Sequence, residues 1–241
     1  IEHNTASLYG GGIYVMSEAS VSLQGSSAVS GNFAEGGKGS GVYLTDTGTS
    51  VNTTASTFTN HTSGSEGGTF AVYSGAALHM LSGTEVSSGK SAEGGAVFVS
   101  GASSTATIRN GTIEDCSATI SGGAIAVRAG GLVDVKDLSQ LRSNSAVQYG
   151  GAIDGADTDS RVKLEDSVIR SNTAGEFGGG LSSRLGASFE LLQGTRVVSN
   201  MATKGGGGLY GSGRMTSTSI TTATIEHNTA SQYGGGIYVM S

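Results

Sequence analysis

The chain of 241 residues contains no proline, no tryptophan and a single cysteine. One cysteine excludes an internal disulfide framework and a zinc site built on thiolates. No apolar run approaches the roughly 18 residues that a membrane-spanning helix needs, and no secretory signal opens the sequence. Charge is sparse, at 13% of residues, with a formal net charge of −6 and a pI near 5.1. There is therefore no basic footprint for nucleic acid. Aromatic residues make up only 6%, too few for the broad core of an ordinary domain. Disorder is disfavoured as well, because the net charge is small and Val, Ile and Leu recur at regular places. Missing proline and the lack of a three-residue glycine period exclude collagen. What the chain has in excess is glycine, 42 residues, where average usage is roughly 7%.

Those glycines are periodic. An apolar residue, two spacers and a small polar residue precede a glycine pair, which leads into an apolar alternation. The pairs begin at Gly10, Gly67, Gly94, Gly122, Gly150, Gly178, Gly206 and Gly234, with Gly39-Ser40 in a weaker copy. Successive spacings are 29, 28, 27 and then 28 five times. Repetition at a fixed period of this length signals stacked supersecondary units. Alternation every two residues, with Ser, Thr and Gly between the runs, predicts strands and excludes a helical stripe. Three short strands per 28-residue coil make an all-β parallel β-helix, a β-solenoid of eight coils and the start of a ninth. The glycine pair predicts a corner that needs positive φ or close backbone approach.

Six residues before each glycine pair lies a slot for an internal polar ladder. It holds Asn4, Asn32, Asn144, Asn172, Asn200 and Asn228, with Asn60 or His61, Ser88 and Cys116 in the other coils. Amides in such a slot bond to a turn or to the next rung. Cys116 then reads as a buried, inert thiol.

Residues 1–17 and 225–241 agree at 16 of 17 positions and differ only at Leu8 against Gln232. Neighbouring 28-residue units agree far less. The chain therefore reads as one continuous solenoid, 1–241, in which residues 1–224 form a long block and 225–241 begin the next. Neither a polar capping coil nor a Lys- or Pro-guarded edge is evident, so further copies of the block are the expected partners along the axis. At about 4.8 Å per coil, a block would advance roughly 38 Å.

The tetrads Gly94-Gly95-Ala96-Val97, Gly122-Gly123-Ala124-Ile125 and Gly150-Gly151-Ala152-Ile153, with Leu141-to-Asn144 and Ile169-to-Asn172 at apolar-x-x-Asn spacing, resemble the repeats of the chlamydial polymorphic outer membrane proteins. The resemblance covers essentially the whole chain. It implies a right-handed parallel β-helix passenger, exposed at a cell surface and often adhesive. The chain departs from that family in showing no C-terminal membrane barrel and in the closeness of its block duplication.

Catalysis on such a fold needs converging carboxylates with a nearby cation. The densest cluster is Asp154, Asp157 and Asp159, followed by Arg161 and Lys163. It is a weak Ca²⁺ candidate whose spacing does not match an EF-hand loop, and a solvated acidic turn is the simpler reading. No catalytic residue and no cofactor is expected. His3 and His227 are one repeat position seen twice, and His61 and His79 lack partners at metal-ligand spacing, so all four read as surface histidines. Gly205 to Gly208 is not followed by the Lys-Ser/Thr of a phosphate loop. Between inward apolar positions of the second strand lie Tyr14, Tyr43, Phe98, Tyr210 and Tyr238, an outward stripe that binds sugar rings, packs against a neighbouring rod or merely lies beneath a loop. Asn52, Asn60 and Asn110 head glycosylation sequons. The expected function is an extracellular, structural rod or fibre, with a ligand-binding adhesin as the alternative and a polysaccharide-active enzyme as a remote one.

Overall fold

The computed structural model of the chain describes every residue except Met215. Among the described residues there is no helix, and every strand pairing is parallel. Each strand bonds to its counterpart one coil earlier and one coil later, which gives four sheets running along a β-solenoid. In chain order the first sheet runs from Thr5–Ala6 to Thr229–Ala230 and the second from Ile13–Val15 to Ile237–Met240. The third runs from Ser20–Leu23 to Ser217–Ile220 and the fourth from Ala28–Ser30 to Thr224–Glu226.

Four strands per coil correct the expected three. The apolar-x-x-Asn segment is not one strand. Its apolar residue belongs to the fourth sheet, as in Gln140–Arg142, and the asparagine leads into a two-residue strand of the first sheet, Ser145–Ala146. Between them Ser143 has a φ of 56°. The equivalent residue is left-handed in every coil: His3, Gly31, Asn60, Ser88, Asp115, Ser171, Ser199 and His227. A left-handed residue turns the chain through a corner, and most of these types bear that conformation better than a β-branched residue would. The glycine corner behaves as expected. Gly150 has a φ of 63°, and a Cβ on Gly151 would lie 2.1 Å from the carbonyl oxygen of Gly179 one coil on.

Inside the coils, like residues stack on like. The fourth sheet points Val29, Phe58, Val86, Ile113, Leu141, Ile169 and Val197 inward, all buried. Opposite them the second sheet supplies Val42, Phe70, Val97, Ile125, Ile153, Leu181 and Leu209. Phe58 and Phe70 meet across the core with ring centroids 4.7 Å apart. Where the second sheet shrinks to Gly155, Phe189 of the third sheet fills the space. The interior is thus filled by medium-sized apolar residues, with Phe58, Phe70 and Phe189 its largest fully buried side chains.

Candidate functional site

Three columns of side chains cover the outside of the second sheet. One is formed by the residue preceding each glycine corner: Tyr9, Lys38, Glu66, Glu93, Ser121, Tyr149, Phe177, Gly205 and Tyr233, joined by parallel bridges. The next is the outward position of the strand, which carries the predicted stripe. The third lies two residues beyond, and includes Tyr73, Arg128 and Arg184. Bulk alternates between the columns. Ala71 sits between Glu66 and Tyr73, while Gly205 leaves room for Tyr238, whose Cδ1 would stand 2.8 Å from a Cβ there.

The aromatic members form two stacks. In one, Tyr9 lies 4.7 Å and Tyr14 5.3 Å from Tyr43, which lies 5.6 Å from Tyr73, and Tyr73 lies 5.5 Å from Phe98. In the other, Tyr149 is 6.1 Å from Phe177, Phe177 4.6 Å from Tyr210, and Tyr210 5.9 Å from Tyr238. These rings lie face to face along the axis, offset as aromatic pairs prefer. Of the predicted stripe, Tyr14 is 46% exposed, whereas Tyr43, Phe98 and Tyr210 retain 8%, 3% and 5%. Their faces are turned to neighbouring rungs, and a sugar ring needs such a face. Burial pushes the Tyr43 phenol up to about 12.

Between the stacks lies a buried ionic group. Asp154 is fully buried and bonds to Arg128 Nη2 at 2.6 Å, and to Arg184 Nη2 and Nε at 2.7 and 3.0 Å. Arg128 also reaches Glu93 at 3.0 Å, and Arg184 lies over the Tyr149 ring at 4.1 Å. Burial alone would raise the Asp154 carboxyl, but the two guanidiniums outweigh it and hold it below the usual carboxylate value. A carboxylate so neutralised is neither a general acid nor a cation ligand. The Ca²⁺ candidate is therefore not assembled. Asp157 accepts the backbone N–H of Ala129 at 3.2 Å, and Asp159 is exposed on an open groove of about 330 Å³ that it shares with Arg161. Among the described residues no three His, Cys, Asp or Glu side chains converge as metal ligands.

The asparagine ladder lies inside. Asn172 illustrates it. Its Oδ1 accepts from the backbone N–H and the Nδ2 of Asn144, at 2.9 and 3.0 Å. Its own N–H and Nδ2 donate to Asn200 Oδ1 at 2.9 Å each, and Nδ2 also donates to Leu141 O at 3.0 Å. Every donor and acceptor of the amide is used. Cys116 takes the slot as expected. Its N–H donates to Asn144 Oδ1 at 3.0 Å, and burial raises the thiol to about 12. Two members need correction. Ser88 is the left-handed corner residue and Gly89 occupies the slot, its N–H pointing at Cys116 Sγ at 3.4 Å. Likewise Asn60 is the exposed corner residue and His61 the buried ladder member, so His61 is not a surface histidine. His61 Nδ1 accepts the N–H of Asn32 at 3.3 Å and its Nε2 faces Val29 O at 3.1 Å. Burial lowers its pKa to about 4. Of the sequon asparagines, Asn60 and Asn110 are exposed, and Asn52 is half-buried between Ser22 and His79 of adjacent strands.

The ionic group was missed in the sequence because its members lie far apart along it: Arg128 is 26 residues before Asp154 and Arg184 is 30 after it. The available signal was opposite charge at one coil's spacing on either side. Comparison with protein families gives no match, and comparison with curated proteins gives none. Among solved structures, the crystal structure of a TibC-catalyzed hyper-glycosylated TibA fragment aligns at 17% identity over 92% of this chain and 99% of that one, with a TM-score of 0.14, a likeness too slight to carry any argument.

Proposed function

We propose that the chain is a structural segment of an extracellular, cell-surface rod, built by continuation of the solenoid from block to block and without catalytic activity. The observation that carries this reading is the block junction itself. Residues 225–241, the second copy of residues 1–17, continue the coils in unbroken register. Val197 pairs with Ile225, Met201 with Thr229 and Leu209 with Ile237. The ladder crosses the junction too, from Asn200 to Asn228 Oδ1 at 2.9 Å.

The aromatic seam supports the same reading. Tyr233 and Tyr238 repeat Tyr9 and Tyr14, so in successive blocks the stack ending at Tyr238 leads into the stack beginning at Tyr14. Seven coils would carry one run of rings, from Tyr149 to Phe98 of the next block. Rings whose faces cover one another stiffen a rod and leave little face for a ligand. Polar side chains are committed in the same way, since the buried ionic group and the amide ladder tie coil to coil.

Electron microscopy and fibre diffraction of the native surface material test this. A continuous rod with a meridional repeat near 38 Å and a strand spacing of about 4.8 Å is expected. Isolated particles one block long, released from any larger assembly, would remove the structural reading and favour an adhesive module.

A further inference from the structure

Charge is unevenly spread along the outer face of the fourth sheet. Three consecutive strands, Gln140–Arg142, Val168–Arg170 and Arg196–Val198, bury their middle residue and turn the other two outward. These six outward positions carry three arginines and no carboxylate. Acids stand only at the two ends of the strip. Glu114, one coil before, bonds Arg142 at 2.5 Å, and Glu226, one coil after, bonds Arg196 at 2.7 Å. Arg170 lies in the middle, in register with Arg142 on one side and Val198 on the other.

Like charges directly opposite in a sheet repel, and this solenoid sets them in register at three places. Arg109 faces Lys136, Glu66 faces Glu93, and Arg142 faces Arg170. At the first two, every member has its own counter-charge: Asp137 for Arg109, Asp134 for Lys136, Lys38 for Glu66 and Arg128 for Glu93. At the third, Glu114 serves Arg142, and among the described residues no carboxylate pairs with Arg170. Asp166, on the turn before it, leans instead over Gly194, where a Cβ would stand 2.8 Å from its Oδ1. The counter-charge missing here is one that a bound anion would supply.

We infer that this strip binds a linear acidic polysaccharide, whose carboxylate or sulfate groups pair with Arg170 and with its neighbours Arg142 and Arg196. The inference adds a ligand to the proposed rod and relies on that reading only for the exposure of this face at a cell surface. A guanidinium offers a planar fork of donors that matches such groups. The three arginines stand on successive coils, so they follow the axis over roughly 10 Å, as a thin polymer lying along the face requires. Other polyanions fit less well. Duplex nucleic acid would bring its charge against a chain of net charge −6, and the strip holds no ring on which a base could stack. Val168 and Val198 are too little apolar surface to anchor a protein or to enter a lipid layer.

The test measures binding of the full chain to immobilised dextran sulfate, polygalacturonate and neutral dextran at several salt concentrations. At least one acidic polymer should retain the chain and neutral dextran should not; the two acidic arms tell sulfate from carboxylate recognition. Arg170→Glu should weaken that binding by at least about tenfold. Arg161→Glu makes the same charge change on the third sheet, and screening should hold its effect within about twofold. Without polymer, Arg170→Glu should raise the thermal midpoint by roughly 1–3 °C, because a repulsion becomes a pair with Arg142. A fall in that midpoint would mean that Arg170 is already satisfied within the chain and would overturn the inference. Equal losses from the two substitutions, no retention on either acidic polymer, or stronger retention on duplex DNA or phosphatidylserine vesicles would overturn it as well. Continuous native rods seen alongside that failure would leave the rod reading intact.

Discussion

At the scale of single residues, the ladder slot shows what a position demands by how each occupant meets it. Asparagine offers one oxygen and two N–H donors, and the slot uses all of them. Histidine at 61 meets the demand only as a neutral ring, since Nδ1 must accept from Asn32. Its folded pKa of about 4 lies below the ordinary histidine value of 6.5 because the ring is buried, so protonation favours the unfolded chain. Stability contributed here is full above about pH 6.5 and falls as pH drops toward 4, where the loss levels off. The window corresponds to roughly 3 kcal/mol. His61→Asn should remove this acid sensitivity, supplying an oxygen to Asn32 and an N–H to Val29. Thermal midpoints of both proteins near pH 7 and about pH 4.5 would show it, and equal acid shifts would refute it. Asp154 makes the opposite case. Asp154→Ala would leave two guanidiniums facing each other without a counter-charge, and a loss of about 3–5 kcal/mol is expected. Urea denaturation would measure that loss, and a loss under about 1 kcal/mol would mean that solvent reaches the site.

At the scale of the strand and the corner, the sequence was legible wherever one residue type marks a geometry. Eight glycine pairs and Gly39-Ser40 located nine corners, and the period-2 runs located the second and third sheets. The corner before the ladder escaped because its residue type changes along the column, from His3 to Gly31 to Asp115 to Ser143; only their shared column reveals it. The strand that follows has two residues in most coils, as in Thr173–Ala174, too short to display alternation. For the outward positions of the second sheet the sequence left cover by a loop open; the cover comes instead from columns five residues before and two after, which no local pattern displays. The inner fit at Gly155 is testable at this scale. A methyl there would stand 2.5 Å from Phe189 Cε1, so Gly155→Ala should destabilise by roughly 1–3 kcal/mol. Phe189→Leu in the same chain should recover part of that. A double-mutant cycle with no coupling would show that the two side chains do not share the space.

Across the whole molecule, stability is the sum of coils and of the interfaces between them. Most ion pairs lie across those interfaces, among them Lys38–Glu66, Arg109–Asp137 and Lys204–Glu176. The junction adds to them by bringing the two ring stacks together. A chain carrying two full blocks should therefore unfold at a higher temperature than one carrying a single block. Calorimetry of the two chains measures the gain, and identical midpoints would mean that coils unfold independently.

The amide ladder also gives the solenoid a direction. Each asparagine oxygen accepts from the coil before it, and each backbone N–H in the slot donates to the coil after it. In the ladder slot one end face of any such rod therefore offers the asparagine Oδ1 with one Nδ2 hydrogen, and the other the backbone N–H with the second Nδ2 hydrogen. Two like faces would leave the oxygen of each without the backbone N–H that it takes within the rod. A rod extended by this rule is a vector: it has a front and a back at every length, and all its blocks share one heading.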